Sequence, residues 1–406
     1  LAVRERIDLD ANATTGLDPE VLEAMRPYWL AGGNPESRHG LGRAARRAWE
    51  HARETVARVL GAHGDEVVFT SGGTEANNLA LFGLAGEGRP GRIVATVLEH
   101  PAVGEPLGAL AARGWVVERV PIGADGRADV AAMVGALGPE TRLATLMLAH
   151  NETGALQPVG ELAAEAAARG VAVHTDAVQA VGRVAVDFHG LGVATLAAGA
   201  HKLHGPAGVG VLLVRRGVRL APRLFGGGQQ RGIRPGTPAV ALAVGMATAL
   251  ARWEAEREAR TARWRRLRDR LESALRAELG EAVVRHGPVA EEQRLPQTLH
   301  VGFVGVDANA LLMQLDLAGV CVSLGSACAS GSTAPSPTLL AMGVPEALAR
   351  GSIRFSLSAT TTEAEIDEAA RRVIEIVRRR HDQGAWLDGS DAAGAPGFQR
   401  GASALQ

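Results

Sequence analysis

Short apolar runs alternate with helical stretches through the first half of the chain. Runs at Glu66–Thr70, Arg92–Leu98, Trp115–Val120, Leu143–Leu148, Val171–Thr175 and Val209–Val214 read as strands. Residues 41–60, LGRAARRAWEHARETVARVL, place apolar positions at helical spacing. SGGTEANNLALFGLAG, after the first run, reads as a Gly-rich turn entering a helix. Strand and helix alternating in this way predict an α/β domain with a mostly parallel sheet. From about Ala239 to Leu279 the pattern becomes helical and highly charged, as in WEAEREARTARWRRLRDRLESAL, which predicts a long helix crossing between domains. Its Glu and Arg are interspersed, the mark of a solvated face rather than a nucleic-acid patch. Residues 280–380 return to strand and helix and end in the amphipathic stretch TEAEIDEAARRVIEIVRRR. After His381 the residues turn to Gly, Ala, Ser and Asp, so 382–406 are expected to form a disordered tail.

A length of 406 residues corresponds to roughly two or three domains. A net charge of −1 gives no electrostatic reason to expect nucleic acid or a membrane surface as partner. No apolar run is long enough for a transmembrane helix, and LAVRERIDLD lacks the apolar core of a signal peptide. Two cysteines make no disulfide framework, so a cytoplasmic enzyme with reduced thiols is expected. One count changes the picture. Of 43 basic residues other than histidine, one is lysine, Lys202, and 42 are arginine. An amine condenses with an aldehyde, whereas a permanently protonated guanidinium does not. Lys202 is therefore a candidate Schiff-base residue.

The surrounding segments fit an aldehyde cofactor. Ser71-Gly72-Gly73-Thr74 would put backbone N–H groups and a hydroxyl around a phosphate at a helix start. Asp176, ending a strand, would keep a pyridine nitrogen protonated, and Gln179 would meet the ring's phenolic oxygen. His201 and Lys202 follow an apolar run and lie near Gly205 and Pro206, a poor setting for a surface lysine. His201 and His204 have no thiolate or acid at metal-ligand spacing, and no metal site is expected there. His100 could stack on the ring and move protons.

Taken together, the chain resembles the cysteine desulfurases of the class V aminotransferase group, fold-type I pyridoxal-phosphate (PLP) enzymes. The resemblance runs over about residues 7–370. It rests on LDANATT, GNPESRHGLGRAAR, FTSGGTEANNLAL, LEHPAV, NETGALQPV, VHTDAVQAVGRVAVD, HKLHGPAGVGVLLVR, GGGQQRGIRPGT, GSACASGS and GSIRFSL. It implies an α/β PLP-dependent transferase fold, a large domain (16–255) with a mostly parallel seven-stranded sheet. A smaller α/β domain would comprise 1–15 and 256–381. Lys202 would be the Schiff-base lysine and His100 the ring-stacking histidine. Asp176 would serve the pyridinium, Gln179 the phenolic oxygen, and Gly73, Thr74 and His201 the cofactor pocket. Asn151 and Arg354 would grip the substrate carboxylate. Thr237 would reach the phosphate of a partner subunit, implying a homodimer.

Cys328, on the Gly/Ser-rich stretch VSLGSACASGSTAPS, is the expected persulfide-forming thiol, in the GSAC subgroup. Cys321, in AGVCVSL, is expected to be core packing. The implied reaction converts L-cysteine to L-alanine and passes sulfur to an acceptor protein for iron–sulfur or other thio-cofactor synthesis. Two readings compete: a related PLP lyase or aminotransferase acting on selenocysteine or another amino acid, and a non-catalytic PLP-fold binding protein. Four positions depart from the family pattern. Gly199 replaces a phosphate-binding Ser, His150 the first Asn of Asn-Asn-Glu, Pro235 a Ser, and Ser358-Ala359 a Gly-Arg pair.

Overall fold

The computed structural model describes residues 6–86, 88–324 and 334–382. Cys328 and the segment 383–406 lie outside them. Seven strands form one sheet: β1 (Val67–Thr70), β2 (Arg92–Thr96), β3 (Val116–Val120), β4 (Thr141–Thr145), β5 (Ala172–Asp176), β6 (Thr195–Gly199) and β7 (Gly210–Val214). Their order across the sheet is β1-β7-β6-β5-β4-β2-β3. Strands β6, β5, β4, β2 and β3 run parallel, while β7 pairs antiparallel with both β6 and β1.

The mostly parallel seven-stranded sheet agrees with expectation. Six of its strands match the runs read from sequence to within a few residues. β6 was not among them. Its residues, TLAAG, are all buried but mostly small, so tertiary burial rather than β-propensity makes the strand.

Two separate hydrophobic cores flank the long helix Val240–Leu279. One gathers around the sheet and includes Val56, Phe69, Leu146, Leu196, Met246 and Leu250. The other includes Ile7, Leu9, Trp264, Leu271, Phe303, Phe355 and Val373. The helix feeds its N-terminal half into the first and its C-terminal half into the second. Trp253 and Trp264, three turns apart on one face, stack with ring centroids 5.9 Å apart. The second core is backed by a three-stranded antiparallel sheet: β8 (Val283–Arg285), β9 (Thr298–Phe303) and β10 (Ser352–Ser356), with β9 central.

The N-terminal segment starts in the second core and ends over the first sheet. Ile7–Asp8 pair in parallel with Val320–Cys321, and Asp10 bridges to Ser356. Cys321 is only partly buried, and burial, Asp8 and Asp316 push its thiol pKa up. Among the described residues no helix is long and apolar enough to cross a membrane.

Candidate active site

The parallel strands bring their C-terminal ends to one edge, where α/β sheets place ligands. β1 and β7 close this edge from the side, because Thr70 and Gly199 both pair with Gly210. Four sequence-selected segments therefore meet: the Gly72–Gly73 turn after β1, His100 after β2, Asp176–Gln179 after β5, and His201-Lys202 after β6.

Each side chain is held by identifiable partners. Asp176 accepts from Asn77 Nδ2 at 2.7 Å and from the Val178 backbone N–H at 2.9 Å. Asn77 Oδ1 lies 3.0 Å from His174 Nε2, and His174 Nδ1 lies 2.9 Å from the Thr195 hydroxyl. Burial lowers the His174 pKa to about 3, so its ring is neutral and serves to orient Asn77. A row of buried side chains from β6, β5 and the helix Gly73–Ala85 thus aims one carboxyl.

Lys202 Nζ donates to two backbone carbonyls, Asn12 O and Ala13 O, each at 2.7 Å. Gln179 Nε2 donates to the same Asn12 carbonyl at 2.9 Å, leaving its buried Oε1 without a hydrogen-bond partner among the described residues. Asn12, itself 1% exposed, extends the link. Its Nδ2 donates to the Asn151 carbonyl (3.2 Å) and to Thr298 Oγ1 (3.0 Å). Arg354 Nη1 donates to that same Asn151 carbonyl at 3.0 Å, and Nη2 to Asp10 Oδ1 at 2.6 Å. The Arg354 Nε is buried with no hydrogen-bond partner among the described residues. Lys202, Gln179, Asn151 and Arg354 are therefore tied together through Asn12.

His100 caps the helix Pro101–Ala111. Its Nδ1 accepts from the Ala102 N–H at 3.0 Å, which leaves the proton of a neutral ring on Nε2. His201 sits beside Thr14, with Nδ1 3.1 Å from Oγ1. Burial, Lys202 and Arg183 lower the His201 pKa to about 4.

Gly73 opens the helix Gly73–Ala85, and a Cβ there would come within 2.5 Å of Val178 Cγ2. Thr74 is exposed at the same helix start. At Gly199 a Cβ would find only ordinary contacts, 3.6 Å from the Gly73 nitrogen, so the missing side chain is not excluded by space. Thr237 is not brought to the cluster within this chain. It is exposed at the end of a loop held along the outer edge of β1, where Gln230 bonds the Phe69 backbone and Arg234 bonds Glu75.

Three features went unread in the sequence. Asn12 acts through its backbone carbonyl, which residue type does not announce. Arg183 is buried and donates to the Ala11 carbonyl at 3.0 Å, and burial and Arg354 lower its pKa to about 10. Glu99 accepts from the Met147 N–H at 3.0 Å, while its Oε2 is buried without a hydrogen-bond partner among the described residues. Burial and the neighbouring Asp176 raise its pKa to about 8, so it is mostly protonated at neutral pH. His150 is 1% exposed, 3.2 Å from Thr153 Oγ1 and 3.3 Å from Thr338 Oγ1. Burial, Arg354 and His100 lower its pKa to about 3.

The fit to PLP can be judged from these atoms. A primary amine, an aimed carboxyl, an unpartnered buried amide oxygen and an open helix N-terminus match an aldehyde, a pyridine nitrogen, a phenolic hydroxyl that donates and a phosphate. The unpartnered guanidinium N–H of Arg354 matches a substrate carboxylate.

Comparison with known proteins agrees. The chain is 45% identical to a cysteine desulfurase of Cereibacter sphaeroides, covering 93% of this chain and 96% of that protein. It is 40% identical to the cysteine desulfurase NifS of Azotobacter vinelandii, covering 96% and 97%. A solved NifS-like protein superposes with a TM-score of 0.85 at 36% identity, covering 92% of this chain and all of that one. The family description Aminotransferase class-V matches residues 7–369, and the chain belongs to that family.

Proposed function

We propose that this chain is a PLP-dependent cysteine desulfurase, converting L-cysteine to L-alanine and taking the sulfur onto Cys328 as a persulfide. The observation that carries the reading is the meeting of Lys202, Gln179 and Arg354 on Asn12 and its hydrogen bonds. Identity of 40–45% to cysteine desulfurases over nearly the whole chain supports it.

PLP, when bound, supplies an electron sink for the bonds of the substrate's α carbon. The chain's residues supply the rest. Lys202 would hold the cofactor and would move a proton at the substrate's α carbon. Asp176 would keep a proton on the pyridine nitrogen and Gln179 would meet the phenolic group, while Gly73, Thr74 and His201 would line the cofactor pocket. Asn151 and Arg354 hold the carboxylate and so set which bond faces Lys202. Cys328, as thiolate, attacks the substrate sulfur: the S–S bond forms as the C–S bond breaks. His100 delivers a proton on the alanine side. A homodimer with Thr237 reaching the neighbouring site, and a protein that accepts the sulfur, belong to the same reading. So does a division into residues 16–255 and 1–15 with 256–381, which the separate cores support.

The test is alanine and sulfide release from L-cysteine, with reductant and added PLP, by the wild type and by Cys328→Ser. Release of both by the wild type and neither by the variant is expected. A wild type that binds PLP yet yields no alanine would move the substrate to another amino acid.

A further inference from the structure

The sheet edge opposite Lys202 carries a second cluster of side chains. Glu66 directly precedes β1, and His189 lies in the short helix Phe188–Leu191 ahead of β6. The strand registers separate this edge from the other: Val67 pairs with Leu213 and Thr195 with Val214, whereas Thr70 and Gly199 meet Gly210.

Glu66 is 1% exposed, an unusual place for a carboxylate without a cation. Its position is fixed by two backbone donors, Arg216 N to Oε1 and His63 N to Oε2, both at 2.9 Å. His189 Nε2 lies 2.7 Å from the same Oε2. A buried ion pair would need only that one imidazole. A second is present: the His63 ring centroid is 4.8 Å from that of His189, tilted by 58°. One ligand atom from each of His63, Glu66 and His189 lies within 4.8 Å of the others. Bonds of about 2.1 Å to a tetrahedral ion would set them roughly 3.5 Å apart: the exposed His63 side chain would rotate inward, and the 2.7 Å His189–Glu66 contact would open as its shared proton leaves.

The two histidine segments are already docked. Phe188 N donates to Leu60 O at 2.8 Å and His189 N to Gly61 O at 3.1 Å, just ahead of His63. Gly61 (φ +63°) permits this approach, since a Cβ there would meet Asp187 Oδ1 at 2.3 Å. Burial works against the Glu66 anion, but the His63 and Arg216 N–H groups and His189 outweigh it and hold the carboxyl below its usual range.

We propose that His63, Glu66 and His189 form a binding site for a divalent transition metal of the zinc class, separate from the catalytic edge. Two imidazoles and a carboxylate suit zinc rather than the all-oxygen preference of magnesium or calcium. Three protein ligands leave a fourth position for water. The ion would replace the proton shared by His189 and Glu66 and would clip the loop after the helix Gly40–Val59 to the segment ahead of β6.

The experiment is zinc titration by calorimetry on metal-stripped, PLP-loaded full-length chain, in a Cys328→Ser background so that this thiol does not compete. One equivalent of zinc is expected, with affinity weakened at least about tenfold by His63→Ala and again by His189→Ala. Zinc should also raise the melting temperature of the parent but not of His63→Ala. His63 is exposed, so its removal leaves the fold intact, and that variant alone decides if His189→Ala is unstable. No 1:1 binding by the parent, or binding by His63→Ala as tight as by the parent, overturns the proposal.

Discussion

The two edges of the seven-stranded sheet treat buried polar atoms in opposite ways. At the Glu66 edge both oxygens of the buried carboxylate have donors from this chain. At the Lys202 edge Gln179 Oε1, Arg354 Nε and Glu99 Oε2 are buried without hydrogen-bond partners among the described residues. Such atoms are costly to leave unmet, and these three lie among the residues read as holding cofactor and substrate, where a bound group would meet them. The Asp176 row shows that this edge is not simply poorly packed. There each side chain from Thr195 through His174 and Asn77 to Asp176 has a hydrogen-bond partner.

Substitutions can break or sharpen that contrast. The largest effect is expected for Lys202→Ala, which should abolish covalent cofactor attachment and cut alanine release at least about a thousandfold. Absorbance of the bound cofactor and product assay check it, and folding should be unaffected. Glu66→Gln should do the reverse. In metal-free protein it should lower unfolding stability by about 1–3 kcal/mol, measured by denaturant titration, with turnover of the folded fraction unchanged. A turnover loss matching that of Lys202→Ala would erase the distinction between the edges.

Glu99 tests the catalytic edge through pH. Its folded pKa, about 8, stands above that of an unfolded glutamate. The folded chain therefore holds a proton that the unfolded chain has already lost, and this group's contribution falls as pH rises from about 4.5 to about 8. Melting temperature of Glu99→Gln should decline less over that window than the wild type's. Identical profiles would show that Asp176 and burial do not hold the proton there. The smallest effect belongs to Gly199→Ser. A hydroxyl beside the Gly73 nitrogen should slow PLP loss on dialysis by up to about fivefold, one net hydrogen bond's worth.

What the sequence made legible follows physical rules. Runs of Val, Leu and Ile announce strands, so β2 and β7 were plain, while the Ala/Gly-rich β6, which leads to Lys202, was not. Lys202 stood out because every other basic side chain except histidine is arginine, and Asp176 because it closes a strand. Asn12 could not be read. It lies 190 positions from Lys202 and contributes a backbone carbonyl that any residue owns. Glu99 was passed over for its neighbour His100, because only tertiary burial turns an ordinary carboxyl into a proton holder near pH 8.

The continuous helix Val240–Leu279 has a consequence for how the molecule comes apart. Its two halves are packed into different cores, so neither core can melt without loosening the helix that the other depends on. Heating or denaturant should thus drive a single cooperative transition in which both units are lost together.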